Sequence, residues 1–205
     1  GKTESWYILQ ADKGATLVAG TTASDAAVIK EAVACGEVEK YVRKVEVEAG
    51  DFVCIDAGML HALGKGILAL EIGQNSNTPY RFDYHRKDAS GKERKLHIEK
   101  CFDVADFSLH CNKIASPFPI TAHTEEKMLV DRREFSVRLV DVAESYVLPK
   151  DEKRFYCLSN VSADCAIRYQ GKELSFAFTE NIFVPAGCDD IEIIGKARIL
   201  ISFVR

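Results

Sequence analysis

The chain is written almost entirely in short runs of β-forming residues broken by glycine, which leaves little room for anything but antiparallel sheet. In the first half the runs are 5–10, 15–20, 41–47, 52–55, 67–72 and 80–84, rich in Val, Ile, Phe and Tyr and punctuated by Gly14, Gly36, Gly50 and Gly58. One segment departs from this. Over 24–35, Ala26, Ile29 and Val33 recur at helical spacing, Thr22 and Ser24 are cap candidates, and Gly36 is a stop, which predicts a short surface helix.

From Lys87 to Lys100 the chain turns basic and polar, and Ser116-Pro117-Phe118-Pro119 reads as extended linker, because each proline biases its predecessor away from helix. Strands then resume. Phe135, Val137 and Leu139 alternate with their neighbours, and further runs follow at 154–158, 163–169, 174–178, 181–184, 191–194 and 197–204. The expected organisation is an N-terminal domain over 1–105, a linker over 106–130 and a C-terminal domain over 131–205. The segment 51–58 can be laid over 180–187, an offset of 187 − 58 = 129 positions, so the halves read as copies of one unit. Evenly spaced short strands in each copy predict an all-β fold of small antiparallel sandwiches or barrels.

At 205 residues the chain can bury roughly 70% of its unfolded surface, so neither a disulfide nor a metal is needed merely to fold it. Its 27 basic and 31 acidic residues give a net charge of −4, the wrong sign for a partner held by phosphate neutralisation, and nucleic acid is not expected. The apolar runs at 67–70 and 199–201 fall far short of the ~20 residues that cross a bilayer, so no membrane is expected either. Seven cysteines, odd in number and without CxxC spacing, point to a reducing, cytoplasmic compartment. The first residue is Gly1, without Met, on what reads as the start of a strand.

The sharpest local signal runs from Gly50-Asp51 through Ala57-Gly58 to His61. A Gly-Asp turn launches a strand, Ala57-Gly58 bends it, and His61 emerges on the returning strand, aimed into a barrel. A lone histidine there is more often a satisfied core residue than a ligand. The spacing, however, resembles the second motif of the cupin superfamily, with Asp56 where proline is usual. In the second copy Pro185 restores the proline while Asp190 stands in place of His61, so that copy reads as metal-free. Two further stretches extend the resemblance: Gly1-Lys2-Thr3-Glu4-Ser5-Trp6, and the run from Gly66 through Gly73-Gln74-Asn75-Ser76-Asn77-Thr78-Pro79-Tyr80-Arg81-Phe82. Together with the His61 motif they resemble type I mannose-6-phosphate isomerases, in particular the short bacterial form.

That resemblance implies two cupin-type antiparallel β-barrels (jelly rolls) with one or more short helices. It implies an aldose–ketose isomerase interconverting mannose 6-phosphate and fructose 6-phosphate by metal-assisted proton transfer through an enediol. It also implies one divalent metal, zinc first among the candidates, held by Glu4 of the Lys-x-Glu strand, by His61, and by a Gln-x-His pair that precedes Lys-x-Glu in the family. The Gln-x-His pair has no counterpart in this numbering, so the N-terminal domain is expected to lack its upstream strands. Two ligands fall below the three or four that zinc sites use. Arg81 matches the family's essential arginine, Lys2 a lysine lining the sugar site, and Glu71 a carboxylate on the strand behind the metal. Arg81, Lys2 and Glu71 are thus the catalytic candidates. Lys2, Arg81 and His85 are the substrate-binding candidates, with Arg86 beside His85 as a second phosphate candidate or a surface residue. Strand alternation alone leaves Glu71 open between an inner and a solvated face, and the general base is left unassigned. Asn77 stands where related sequences carry Asp; an amide can orient but cannot titrate. His97, His110 and His123 read as structural. The partner is a small sugar phosphate, and a homodimer is allowed for. The competing reading is a non-catalytic sugar- or metabolite-binding cupin derived from the isomerase. An iron dioxygenase would need further histidines that no cupin motif here supplies.

Overall fold

A computed structural model of the chain describes residues 1–82, 87, 89–115 and 123–205. It divides into two compact units, Gly1–Lys113 and Ile114–Arg205. Both are built mainly of antiparallel strands, so the all-β expectation holds, with two short α-helices among the described residues, both in the first unit.

The first unit contains β1 (Glu4–Ala11), β2 (Thr16–Thr21), α1 (Ala26–Ala34), β3 (Val42–Glu46), β4 (Phe52–Ile55), β5 (His61–Ala62), β6 (Ile67–Gly73) and α2 (Ile98–Val104). Two three-stranded sheets, ordered β4-β1-β6 and β3-β2-β5, face each other. Trp6, Ile8, Val53 and Ile55 from one meet Leu17 and Ala19 from the other in a common core. The central strand β1 is buried on both faces, with Tyr7 as enclosed as Ile8. Helix α1 starts one residue away from the nearer expected cap: Asp25 accepts the Ala27 amide at 2.8 Å. It stops at Gly36 as expected. There φ is 70°, the Gly36 amide bonds Val33 O and the Glu37 amide bonds Ala32 O, a Schellman closure that needs the left-handed conformation.

Two features of this unit differ from the sequence-based expectation. No strand forms over the described part of 80–84; residues 83 and 84 lie outside the described residues. Tyr80 and Phe82 are instead aromatic anchors. Tyr80 stacks on His97 and Phe82 packs on Phe102 and Phe107. The residues that receive them belong to or flank α2, a helix with no side-chain cap whose approach is a charged, periodicity-free stretch, so nothing local announced it.

The second unit contains β7 (Glu125–Asp131), β8 (Ser136–Val142), β9 (Ser145–Leu148), β10 (Tyr156–Asn160), β11 (Cys165–Tyr169), β12 (Lys172–Phe176), β13 (Asn181–Val184), β14 (Ile191–Ile194) and β15 (Ala197–Phe203). Strand β7 therefore occupies residues within the expected linker. The sheets are ordered β13-β10-β15-β8-β7 and β12-β11-β14-β9, and enclose Val140, Leu158, Phe176, Ile193 and Ile199. Within them lie β13-β10-β15 and β12-β11-β14, the same plan as β4-β1-β6 and β3-β2-β5. The local likeness of 51–58 to 180–187 thus extends to six strands of topology, to which the second unit adds β7, β8 and β9. No described helix is long and apolar enough to cross a membrane.

Candidate active site

Register decides which side chains share the interior of the first unit. Glu4 precedes the core residue Trp6 by two positions on β1, so it points to the same interior. His61 enters from the opposite sheet, opening β5 across from the buried Ala19. Glu71 on β6 is the direct cross-strand partner of Trp6, and directly opposed residues share a face. That resolves the ambiguity left by alternation: Glu71 is on the inner face, at its exposed end, while Leu70 and Ile72 point the other way. Lys2 lies just ahead of β1.

The turn that delivers His61 is closed by the Met59 amide on Asp56 O at 3.0 Å, with Gly58 at φ 93°. Its counterpart closes from Cys188 to Pro185 O at 3.2 Å, with Gly187 at φ 77°. Asp56 and proline thus serve the same turn. Beyond the turn the copies diverge. Asp190 accepts the Lys150 amide, and Tyr156, opposite Val184 as Glu4 is opposite Ile55, donates its hydroxyl to Asp151.

These placements bring four of the predicted residues together. Glu4 Oε1 lies 3.4 Å from His61 Nε2, Glu4 Oε2 lies 2.8 Å from Lys2 Nζ, and Lys2 Nζ also contacts the Glu71 carboxylate. Glu4 is only 6% exposed. Burial alone would raise its pKa, but His61 and Lys2 overcome it and hold the carboxyl down to about 2. Burial likewise opposes charge on His61 and on Lys2. For His61 the Glu4 carboxylate and the Met59 carbonyl prevail, for Lys2 the two carboxylates prevail, and both pKa values rise.

The donor chemistry tests whether a metal fits. His61 Nδ1 lies 2.8 Å from Met59 O, and since a carbonyl only accepts, Nδ1 carries the proton. In the neutral ring the Nε2 lone pair then faces a carboxylate oxygen. Two acceptors aimed at one point require a proton or a cation between them, and a backbone carbonyl orienting the far ring nitrogen is the usual support of a ligating histidine. Glu4 and His61 therefore fit as two donors to a divalent cation. Among the described residues no group of three or more His, Cys, Asp or Glu side chains could hold one.

Arg81 follows β6 and is partly buried. Its amide donates to His97 Nδ1 at 3.3 Å and its carbonyl accepts the His97 amide at 2.8 Å. With Tyr80 and Phe82 anchored on either side, the residues at and around α2 hold the backbone at position 81. His97, read as structural, does hold structure: it fixes the backbone of a candidate catalytic residue. No local pattern could show this, because Arg81 lies 97 − 81 = 16 positions away. His85 and Arg86 lie outside the described residues, and Asn77 sits on an exposed bend.

Residues 124–204 match the family model described as mannose-6-phosphate isomerase, cupin domain. The mannose-6-phosphate isomerase ManA of Bacillus subtilis is 33% identical over 209 residues, which cover 98% of this chain and 64% of that protein. A mannose-6-phosphate isomerase of Streptococcus mutans is 44% identical over 105 residues, 51% of this chain and 33% of its own length. The crystal structure of the Bacillus subtilis mannose 6-phosphate isomerase superposes with a TM-score of 0.87 at 30% identity, covering 98% of this chain and 64% of that one. The chain thus spans a little under two thirds of the length of these Bacillus relatives. With fold, motif residues and relatives in agreement, the chain is a cupin-fold protein similar along nearly its whole length to the short-form type I mannose-6-phosphate isomerases.

Proposed function

We propose that this chain interconverts mannose 6-phosphate and fructose 6-phosphate. The observation that carries the reading is the convergence of Glu4 and His61, from facing sheets, with Lys2 and Glu71 at their side, in a fold shared with proteins named for that reaction. Aldose and ketose exchange when a proton leaves one carbon and returns to its neighbour through an enediol, while a sugar oxygen takes up negative charge.

Glu4 and His61 would contribute two donors to a divalent metal, zinc in our reading, with the family's Gln-x-His pair completing the set. When bound it supplies positive charge against the sugar's oxygens. Lys2, kept protonated by two carboxylates, acts as a fixed cation beside the developing charge rather than as a base. Glu71, on the same inner face and half open to solvent, is then the carboxylate available to move protons. Arg81 closes over the substrate, and the phosphate role read for His85 falls outside the described residues. Seven cysteines, odd in number and without CxxC spacing, suit the cytoplasm we assign as its compartment. The test is turnover: zinc-loaded protein that converts neither hexose phosphate refutes the assignment.

One observation favours a second reading, a sugar-phosphate-binding protein without catalysis: Lys2 already neutralises Glu4, and among the described residues only two metal donors meet. Calorimetry separates the two. Sugar-phosphate binding that is indifferent to chelator, with no turnover, supports the binder.

A further inference from the structure

We propose that Trp6 is a positioning residue that holds the His61 ring with Nε2 toward Glu4 and so presets the pair for a divalent cation; the inference rests on the reading of Glu4 and His61 as metal donors. His61 opens a strand of only two residues, and its side chain is about a third open to solvent. A side chain on so short a support has rotamer freedom that the backbone does not remove. Three contacts constrain the ring instead. Met59 O takes the Nδ1 proton, Glu4 stands at Nε2, and Trp6 sets its ring against the imidazole, with centroids 5.6 Å apart and planes at 64°.

The first two contacts fix the ring only while it stays in plane with both oxygens. Trp6 supplies the wall that keeps it there. Edge-to-face aromatic contact has a preferred angle, so rotation of the imidazole away from Glu4 loses it. Trp6 is itself rigid: it is 6% exposed, within the central strand, with Val53 and Glu71 as its register partners. It therefore passes the stiffness of the core to a ligand that sits on a weak strand, the support a precise site requires.

The test compares Trp6→Phe, which keeps an aromatic wall, with Trp6→Leu, which fills the core without one. Cobalt(II) alone is titrated into each protein by calorimetry. The imidazole nitrogens of His61 are followed by nitrogen NMR on metal-free protein in alkaline buffer. W6L is expected to bind cobalt 10–100-fold more weakly, the usual cost of losing a group that orients a ligand, and W6F to stay within about threefold of wild type. The spectra should show one Nδ1-protonated form in wild type and W6F and a mixture in W6L. A folded W6L with wild-type cobalt affinity and a single tautomer overturns the proposal, as does a mixture in wild type. Wild-type protein that takes up no cobalt refutes the metal reading instead, and the nitrogen spectra of metal-free protein still decide the role of Trp6.

Discussion

The cleanest energetic prediction concerns Arg198, which is 2% exposed and gives Nε and Nη2 to the two oxygens of Asp141 at 2.5 and 2.7 Å. The residues are cross-strand partners on β15 and β8, so the fork-to-fork geometry is built by register. The Arg198 backbone is held as well, its amide on Ser162 Oγ and its carbonyl on the Val161 amide. Arg198→Met keeps most of the apolar stem but leaves the buried Asp141 carboxylate without its fork. Removing one member of such a pair costs about 3–5 kcal/mol, because the remaining charge keeps its desolvation cost and loses its partner. In urea, with a slope of about 2 kcal/mol/M, that moves the midpoint down by roughly 2 M at unchanged slope. The double variant Arg198→Met with Asp141→Leu removes both charges and should recover most of the loss. Two results refute the reasoning: a single-variant shift below about 0.5 M, or a double variant that loses the sum of the two singles.

Three further predictions concern the site. In chelated protein, Glu4→Gln leaves His61 with the burial that disfavours its charge but without the carboxylate that overcomes it, so the His61 imidazole should titrate at lower pH by NMR. The same variant has an acid signature. Glu4 is lowered from 4.5 to about 2, so its stabilising contribution is complete above pH 4.5 and is lost as pH falls toward 2. The stability gap between wild type and E4Q should therefore shrink across that window, and a gap independent of pH would refute the assignment. Gly73→Ala places a methyl 2.8 Å from Glu4 Cβ and 3.2 Å from Lys2 Cε, displacing the ligand strand. Overpacking of this kind costs about 1–3 kcal/mol, and cobalt affinity should fall with it; unchanged affinity by calorimetry would mean that Glu4 does not need its present position.

Much of the fold was legible because short β runs carry their own period. The strands around Trp6, Val53 and Ala69 formed where β-type runs were read, and Gly36 ended α1 because only a left-handed residue closes that helix end. What alternation could not supply was long-range pairing. Glu71 was undecided until β6 paired with β1 and set it opposite Trp6. Helix α2 was missed because its stability comes from Phe102, with Phe107 beyond its end, packing on Phe82. Those contacts span 102 − 82 = 20 and 107 − 82 = 25 positions, which no local pattern records.

Local sequence marked the candidate positions, whose roles the family resemblance implies: a Lys-x-Glu strand, a histidine three residues past a glycine bend, and an arginine after an Asn-rich turn. Turn residues and strand period act over a few positions, so features of that reach are written in the chain itself. Assembly in three dimensions was needed for the rest. It set Glu4 and His61, 61 − 4 = 57 positions apart and on facing sheets, 3.4 Å from each other, locked Lys2 between two carboxylates, and put Trp6 behind the imidazole. A site built across two sheets depends on register and on core packing, and these are settled by the whole set of buried contacts together rather than by any one run of residues.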